Sequence, residues 1–147
     1  MMTIKFKRIG QHNLPLPSYE SDAAVGFDLR ARKSYTLMPG DEQLVPLGWA
    51  VELPAAYGMY LFPRSGLGVK YGIVLGNLTG VIDSDYRGEL MVSLWYRRSE
   101  GRAFKIAAGD RICQGVLMPR IVSDFVEVDE IEDTKRSIGG FGSSGVK

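Results

Sequence analysis

Apolar residues in this chain come in short runs, each cut off by Gly, Pro, Asp or Ser. Val45, Leu47, Trp49, Val51 and Leu53 alternate with their neighbours, the period of two that marks a half-buried strand. Met59 to Phe62, Ile73 to Leu75, Leu90 to Tyr96, Ile112 to Met118 and Phe125 to Val128 read as further strands. No segment keeps the i, i+3, i+4, i+7 spacing of an amphipathic helix over a dozen residues. Many short strands between turn signals predict an all-β sandwich or barrel, with at most one short helix.

Polar residues interrupt this pattern most densely between two of those strands. Gly72 to Asn77 reads as a strand ending in a turn, and Leu90 opens the next strand. Between them, Gly80 to Glu89 carries Asp83, Asp85, Tyr86, Arg87 and Glu89. That places the cluster at the tip or inner wall of a hairpin, where a rigid scaffold can aim carboxylates at a ligand. Taken alone, it is equally well explained as a solvated acidic turn.

Composition narrows the chemistry. With 147 residues, 45% hydrophobic and 24% charged, the chain has the make-up of one globular domain. A net charge of +1 gives no electrostatic footprint for nucleic acid. No apolar run approaches a membrane span, the N-terminus shows no signal-peptide core, and the lone Cys113 fits a reducing cytoplasm. One His and one Cys cannot build a usual zinc site, and the lone His12, set in a polar N-terminal loop, argues against a Ser–His triad. His12 reads as an exposed loop residue and Cys113 as a small buried hydrophobe. An enzyme of this composition needs a carboxylate base, and any metal would be a hard one such as Mg²⁺, which prefers oxygen.

Four other stretches are candidates. Pro63 to Gly68 follows a strand, with Ser65 placed to cap a helical turn and Arg64 beside it, an arrangement suited to anions. Gly109 to Gln114 reads as a turn held by an Asp110–Arg111 pair, with Gln114 turned inward. Asp28 sits in an apolar setting and needs a partner, either an arginine or a hydrated metal. Ser137 to Gly145 is rich in Gly and Ser, so it is either a disordered tail or an arm that orders over a ligand. In the second case Arg136 suits a terminal phosphate and Phe141 a base.

Together these stretches resemble the five motifs of the homotrimeric deoxyuridine triphosphatases, most closely bacterial ones, in family order from Val25 to Gly145. The motifs are Val25 to Leu29, Pro63 to Gly68, Gly80 to Gly88 preceded by Asn77, Gly109 to Gln114, and Arg136 to Gly145. Val25, Cys113, Ser137 and Ser144 depart from the commoner Ala, Ala, Gly and Thr. The resemblance implies a jelly-roll or distorted β-barrel core at 1–132 and a flexible arm at 133–147. It also implies a cytoplasmic homotrimer with active sites at subunit interfaces, no nucleic-acid or membrane partner, and hydrolysis of Mg²⁺-chelated dUTP to dUMP and pyrophosphate. That reaction limits uracil in DNA and supplies dUMP for dTMP synthesis. Asp83 would deprotonate the attacking water and Tyr86 would pack against deoxyribose. Backbone groups from Asn77 through Val81 and Ile82 to Asp83 would read uracil, with Met91 nearby. Arg64, Ser65, Gly66 and Gln114 would hold phosphates, and Asp28 would grip the metal through a water. Arg136, Phe141, Gly142 and Ser143 would close over the nucleotide from a neighbouring subunit. The similar dCTP deaminases, or a bifunctional deaminase, are the rival reading, but they lack the Asp83-to-Tyr86 pattern.

Overall fold

A computed structural model describes residues 2–138. Eleven strands and one short helix are assigned among them, and every strand pair is antiparallel. The strands are β1 (Lys5–Arg8), β2 (Gly26–Arg30), β3 (Tyr35–Leu37), β4 (Glu42–Pro46), β5 (Trp49–Glu52) and β6 (Tyr57–Pro63). Helix α1 (Ser65–Tyr71) follows, then β7 (Ile73–Leu75), β8 (Gly80–Ile82), β9 (Met91–Tyr96), β10 (Phe104–Ile106) and β11 (Arg111–Pro119). They form a four-stranded sheet β2-β11-β6-β8, a three-stranded sheet β4-β9-β7 and two ribbons, β1-β5 and β3-β10. The chain is therefore all-β as its patterning predicts, in open sheets; no closed barrel is found among the described residues.

Alternation decides which face is buried. In β6, Met59 and Leu61 point inward and are fully buried, while Tyr60 and Phe62 point out. Leu29, Leu75, Leu94 and Cys113 join the core from β2, β7, β9 and β11. Fully burying each such leucine or methionine contributes about 1.5–3 kcal/mol. No polar or charged residue among the described ones is buried in this core.

The alternating stretch from Val45 to Leu53 is buried as predicted but is not one strand. Pro46 ends β4 because it lacks the N–H needed to extend the ladder, and the chain turns at Leu47–Gly48 before β5. His12 is also not an exposed loop residue. Its Nε2–H donates to Gly48 O at 2.7 Å and its Nδ1 accepts from Leu14 N at 3.2 Å. Its ring meets the edge of Trp49, so it fastens the N-terminal segment to the turn before β5.

Phe125 to Val128 does not form a strand. Ile121, Phe125, Val126 and Ile131 lie exposed on backbone without regular secondary structure, Phe125 at 97%, with no sheet partner among the described residues. The period-2 pattern registers β propensity, but a ladder needs an edge, and none among the described residues lies beside it.

Candidate active site

The helix is short because its signals are close together. It begins where Pro63 ends β6 and stops at Gly72, whose φ of +76° is a left-handed conformation costly to other residues. Arg97 and Arg98 donate to the last-turn carbonyls of Gly68 and Lys70. Ser65 is not the cap that the sequence suggested. The N-cap is Arg64, in extended conformation without a side-chain cap, and Ser65 is the first helical residue. Its hydroxyl is exposed and makes no hydrogen bond among the described residues, and it stands beside the unpaired N–H groups of the first turn.

Beside this turn the four-stranded sheet assembles a polar cluster. Gln114 of β11 lies opposite both Asp28 of β2 and Phe62 of β6, so these side chains share the outer face. Asp28 Oδ1 pairs with Arg64 Nε at 3.1 Å, and its Oδ2 with Arg111 Nη1 at 3.1 Å. Glu20 holds the same Arg111 nitrogen at 3.0 Å. Arg64 Nη1 donates to Arg111 O at 2.9 Å, and Gln114 Nε2 to Pro63 O at 3.1 Å. The expected Asp110–Arg111 pair does not form. Asp110 accepts from Ala107 N to close its own turn, while Arg111 reaches across to Asp28, a partner that adjacency in sequence could not reveal. Arg30, Arg64 and Arg111 line a cavity of about 300 Å³ here. Cys113 lies beneath the cluster, fully buried, and burial pushes its thiol well above the usual range, which removes it as a nucleophile.

The other predicted residues gather elsewhere. Strand β8 pairs with β6 and β7 with β9, so the two lie in different sheets. The stretch Gly80–Glu89 is thus a crossover between sheets and not a hairpin tip. Asp83 follows β8, one step past the Met59–Ile82 pair and so level with Gly58, and its backbone carbonyl closes a turn with Tyr86 N at 3.2 Å. Its exposed carboxylate makes no hydrogen bond or ion pair among the described residues. Val81, Ile82 and Asp83 line a cavity of about 380 Å³ with Tyr57, Tyr60 and Arg120. Tyr86 Oη donates to Glu89 O at 3.1 Å, and a Cβ on Gly88 would overlap that hydroxyl. Asn77 donates its amide to Thr79 O within its own turn, and Met91 opens β9 just past the loop.

The two groups are well separated. From Gly58, level with Asp83, to Arg64 just past the end of β6 is six residues, roughly 20 Å at the rise of a strand. The Tyr60–Phe62 ring pair lies between. Arg136 is described and exposed, whereas Phe141, Gly142 and Ser143 lie outside the described residues.

Comparison with known proteins gives this arrangement a context. A deoxyuridine 5'-triphosphate nucleotidohydrolase of Hahella chejuensis is 51% identical over 145 residues, covering 96% of this chain and 93% of that one. The protein of that name from Haemophilus influenzae is 47% identical over 94% of this chain and 91% of its own length. The solved Staphylococcus bacteriophage 80alpha dUTPase with dUPNHPP superposes at a TM-score of 0.89. It is 25% identical and covers 99% of this chain and 100% of that one. A family model described as dUTPase matches residues 12–145, and the chain belongs to the dUTPase family.

Proposed function

We propose that this protein hydrolyses dUTP to dUMP and pyrophosphate. The observation that carries this reading is the exposed, unengaged carboxylate of Asp83 at a nucleotide-sized cavity, in a chain half identical to named dUTP hydrolases. Asp83 holds the attacking water and takes its proton as the water oxygen bonds to the α-phosphorus. The bond from that phosphorus to the bridging oxygen breaks, and pyrophosphate leaves. Tyr86 stacks on the sugar and excludes a 2′-hydroxyl, while the backbone from Asn77 to Asp83 pairs with the uracil edge, near Met91. Arg64, Ser65, Gly66 and Gln114 neutralise and orient the phosphates.

The described residues hold no cluster of three or more His, Cys, Asp or Glu fit to cage a metal. As the family resemblance implies, Mg²⁺ would enter as part of the substrate, held by the triphosphate, and would offset phosphate charge. Each oxygen of Asp28 keeps a lone pair beyond its guanidinium partner, enough to accept a hydrogen bond from a metal-borne water.

The site is shared between subunits, in a homotrimer. Water on Asp83 and the donors on Ser65 and Gly66 must meet at one phosphate, and side chains this short do not cover ~20 Å. The segment from Ile121 to Ile131, exposed and without a sheet partner among the described residues, supports the same reading, because its backbone and apolar groups can be satisfied on a neighbour. The arm at 133–147, with Arg136, Phe141, Gly142 and Ser143, closes over the nucleotide from a neighbouring subunit. We place the enzyme in the cytoplasm, as the family resemblance implies; no helix among the described residues is long and apolar enough to cross a membrane. Pyrophosphate release from dUTP, compared with UTP, dCTP and dTTP, tests the activity. Selective release from dUTP with Mg²⁺ is expected; ammonia release from dCTP, or no turnover of dUTP, would defeat it.

A further inference from the structure

The crossover loop that carries Asp83 and Tyr86 ends on Glu89, a residue without a role in the reading above. Its carboxylate is largely enclosed: Glu89 Oε1 pairs with Arg32 Nη1 at 3.2 Å, with side-chain exposures of 17% and 19%. The exposed Lys5–Glu52 pair, by contrast, leaves 70% and 51% of its side chains in water. Oε1 also accepts the backbone N–H of Gly48 at 2.9 Å. Arg32 is fixed in turn, since its Nη1 donates to Ile9 O at 3.2 Å and its backbone N to Pro46 O at 3.0 Å. Leu90, the next residue, exchanges backbone bonds with Leu47 and Trp49 at 2.9 and 2.7 Å. The exit of the loop is therefore bolted to the turn between β4 and β5.

The same residue meets the loop from the other side. Tyr86 Oη donates to the Glu89 carbonyl, and only the missing side chain of Gly88 leaves room for that hydroxyl. Enclosing an ion pair costs desolvation that its attraction often fails to offset, so such a pair is weak evidence for stability alone. It does fix direction. We propose that Glu89 is a positioning residue which, through Arg32 and Gly48, sets the height of the Tyr86 ring and with it the rejection of ribonucleotides. This inference rests on the reading of Tyr86 as the residue that excludes a 2′-hydroxyl.

Three variants of the full chain test it: Tyr86→Ala, Glu89→Ala and Glu89→Gln. Each is assayed for kcat/KM on dUTP and on UTP, with Tm measured in parallel. Tyr86→Ala is expected to lose the preference for dUTP. Glu89→Ala should reduce the preference by about ten- to a hundredfold, the scale of a displaced positioning contact. Glu89→Gln, which keeps an oxygen for Gly48 N–H but loses the charge facing Arg32, should fall between Glu89→Ala and the parent. It decides the matter alone should Glu89→Ala not fold. Glu89 variants that lower Tm, or slow both substrates alike, while keeping the parent preference would overturn the inference. If Tyr86→Ala itself keeps the preference, the reading of Tyr86 falls and this inference with it.

Discussion

If Asp83 and Arg64 of one chain serve different sites, two inactive variants should rescue each other. The structure sets this up, because the two positions stand roughly 20 Å apart along β6. Asp83→Asn removes the base and Arg64→Gln removes a phosphate donor, so each homo-oligomer should be nearly inert. Mixed at equal amounts, denatured and refolded together, the chains assort at random. A working site then needs an intact Asp83 from one chain and an intact Arg64 from another. Each requirement is met half the time, so about one quarter of sites regain both groups in a symmetric oligomer. Were the site contained within one chain, no chain in the mixture would carry both groups and the expected recovery would be nil. Pyrophosphate release from dUTP before and after mixing, with the two variants refolded separately as controls, measures the difference. Recovery that stays at the sum of the separate variants would refute the shared site. The same mixture counted by native mass spectrometry should show trimers.

Three further outcomes follow from the geometry. Asp83→Asn alone should lower kcat by roughly 10²–10⁴ while leaving dUTP affinity, read by calorimetry, largely intact; near-normal turnover would mean that another group takes the proton. Truncation after Thr134 should abolish most turnover yet leave thermal unfolding of the core unchanged, so a fully active truncated chain would remove the arm from the mechanism. Cys113, its thiol pushed up mainly by burial, should resist alkylation at mildly alkaline pH in the folded chain and react once the chain is denatured. Rapid labelling of the native protein would contradict its placement.

Alternation made most of the sheet framework legible, because burial on one face writes a period of two into any strand. It placed Met59 and Leu61 inward and matched β6, β7, β9 and β11. It could not say where a strand breaks, as at Leu47–Gly48, nor that β7 and β8 join different sheets, since pairing is set by residues far apart in sequence. Phe125 to Val128 shows the same limit from the other side, with strand propensity present and no strand partner among the described residues. Within the site, residue types and order singled out Asp83, Arg64 and Gln114. The partners they needed were less visible: Arg111 sits next to Asp110 in sequence but pairs with Asp28, 83 positions away. Glu89 stood out only as one charge of the polar cluster, and its pairing with Arg32 gave no signal, because nothing local marks two separated charges as a pair.

The register of the four-stranded sheet gives the proposed shared site a simple physical basis. Residues directly opposite one another project to the same face, so Asp28, Gln114 and Phe62 form one outer row, and Val116, Tyr60 and Val81 the next. Polar groups crowd one end of this face and Asp83 the other, with exposed Val81, at 60%, and stacked Tyr60 and Phe62 between them. Apolar and aromatic groups on the outside of a sheet favour contact with another surface. A neighbour docked across this face would cover the aromatic strip and bring its own catalytic end to the phosphate-binding end of the first. One packing event would then bury the apolar surface and complete the chemistry, so activity should depend on protein concentration wherever the oligomer dissociates. Specific activity measured through serial dilution should fall together with the oligomer fraction; a dilution-independent value for the isolated chain would dissociate the two.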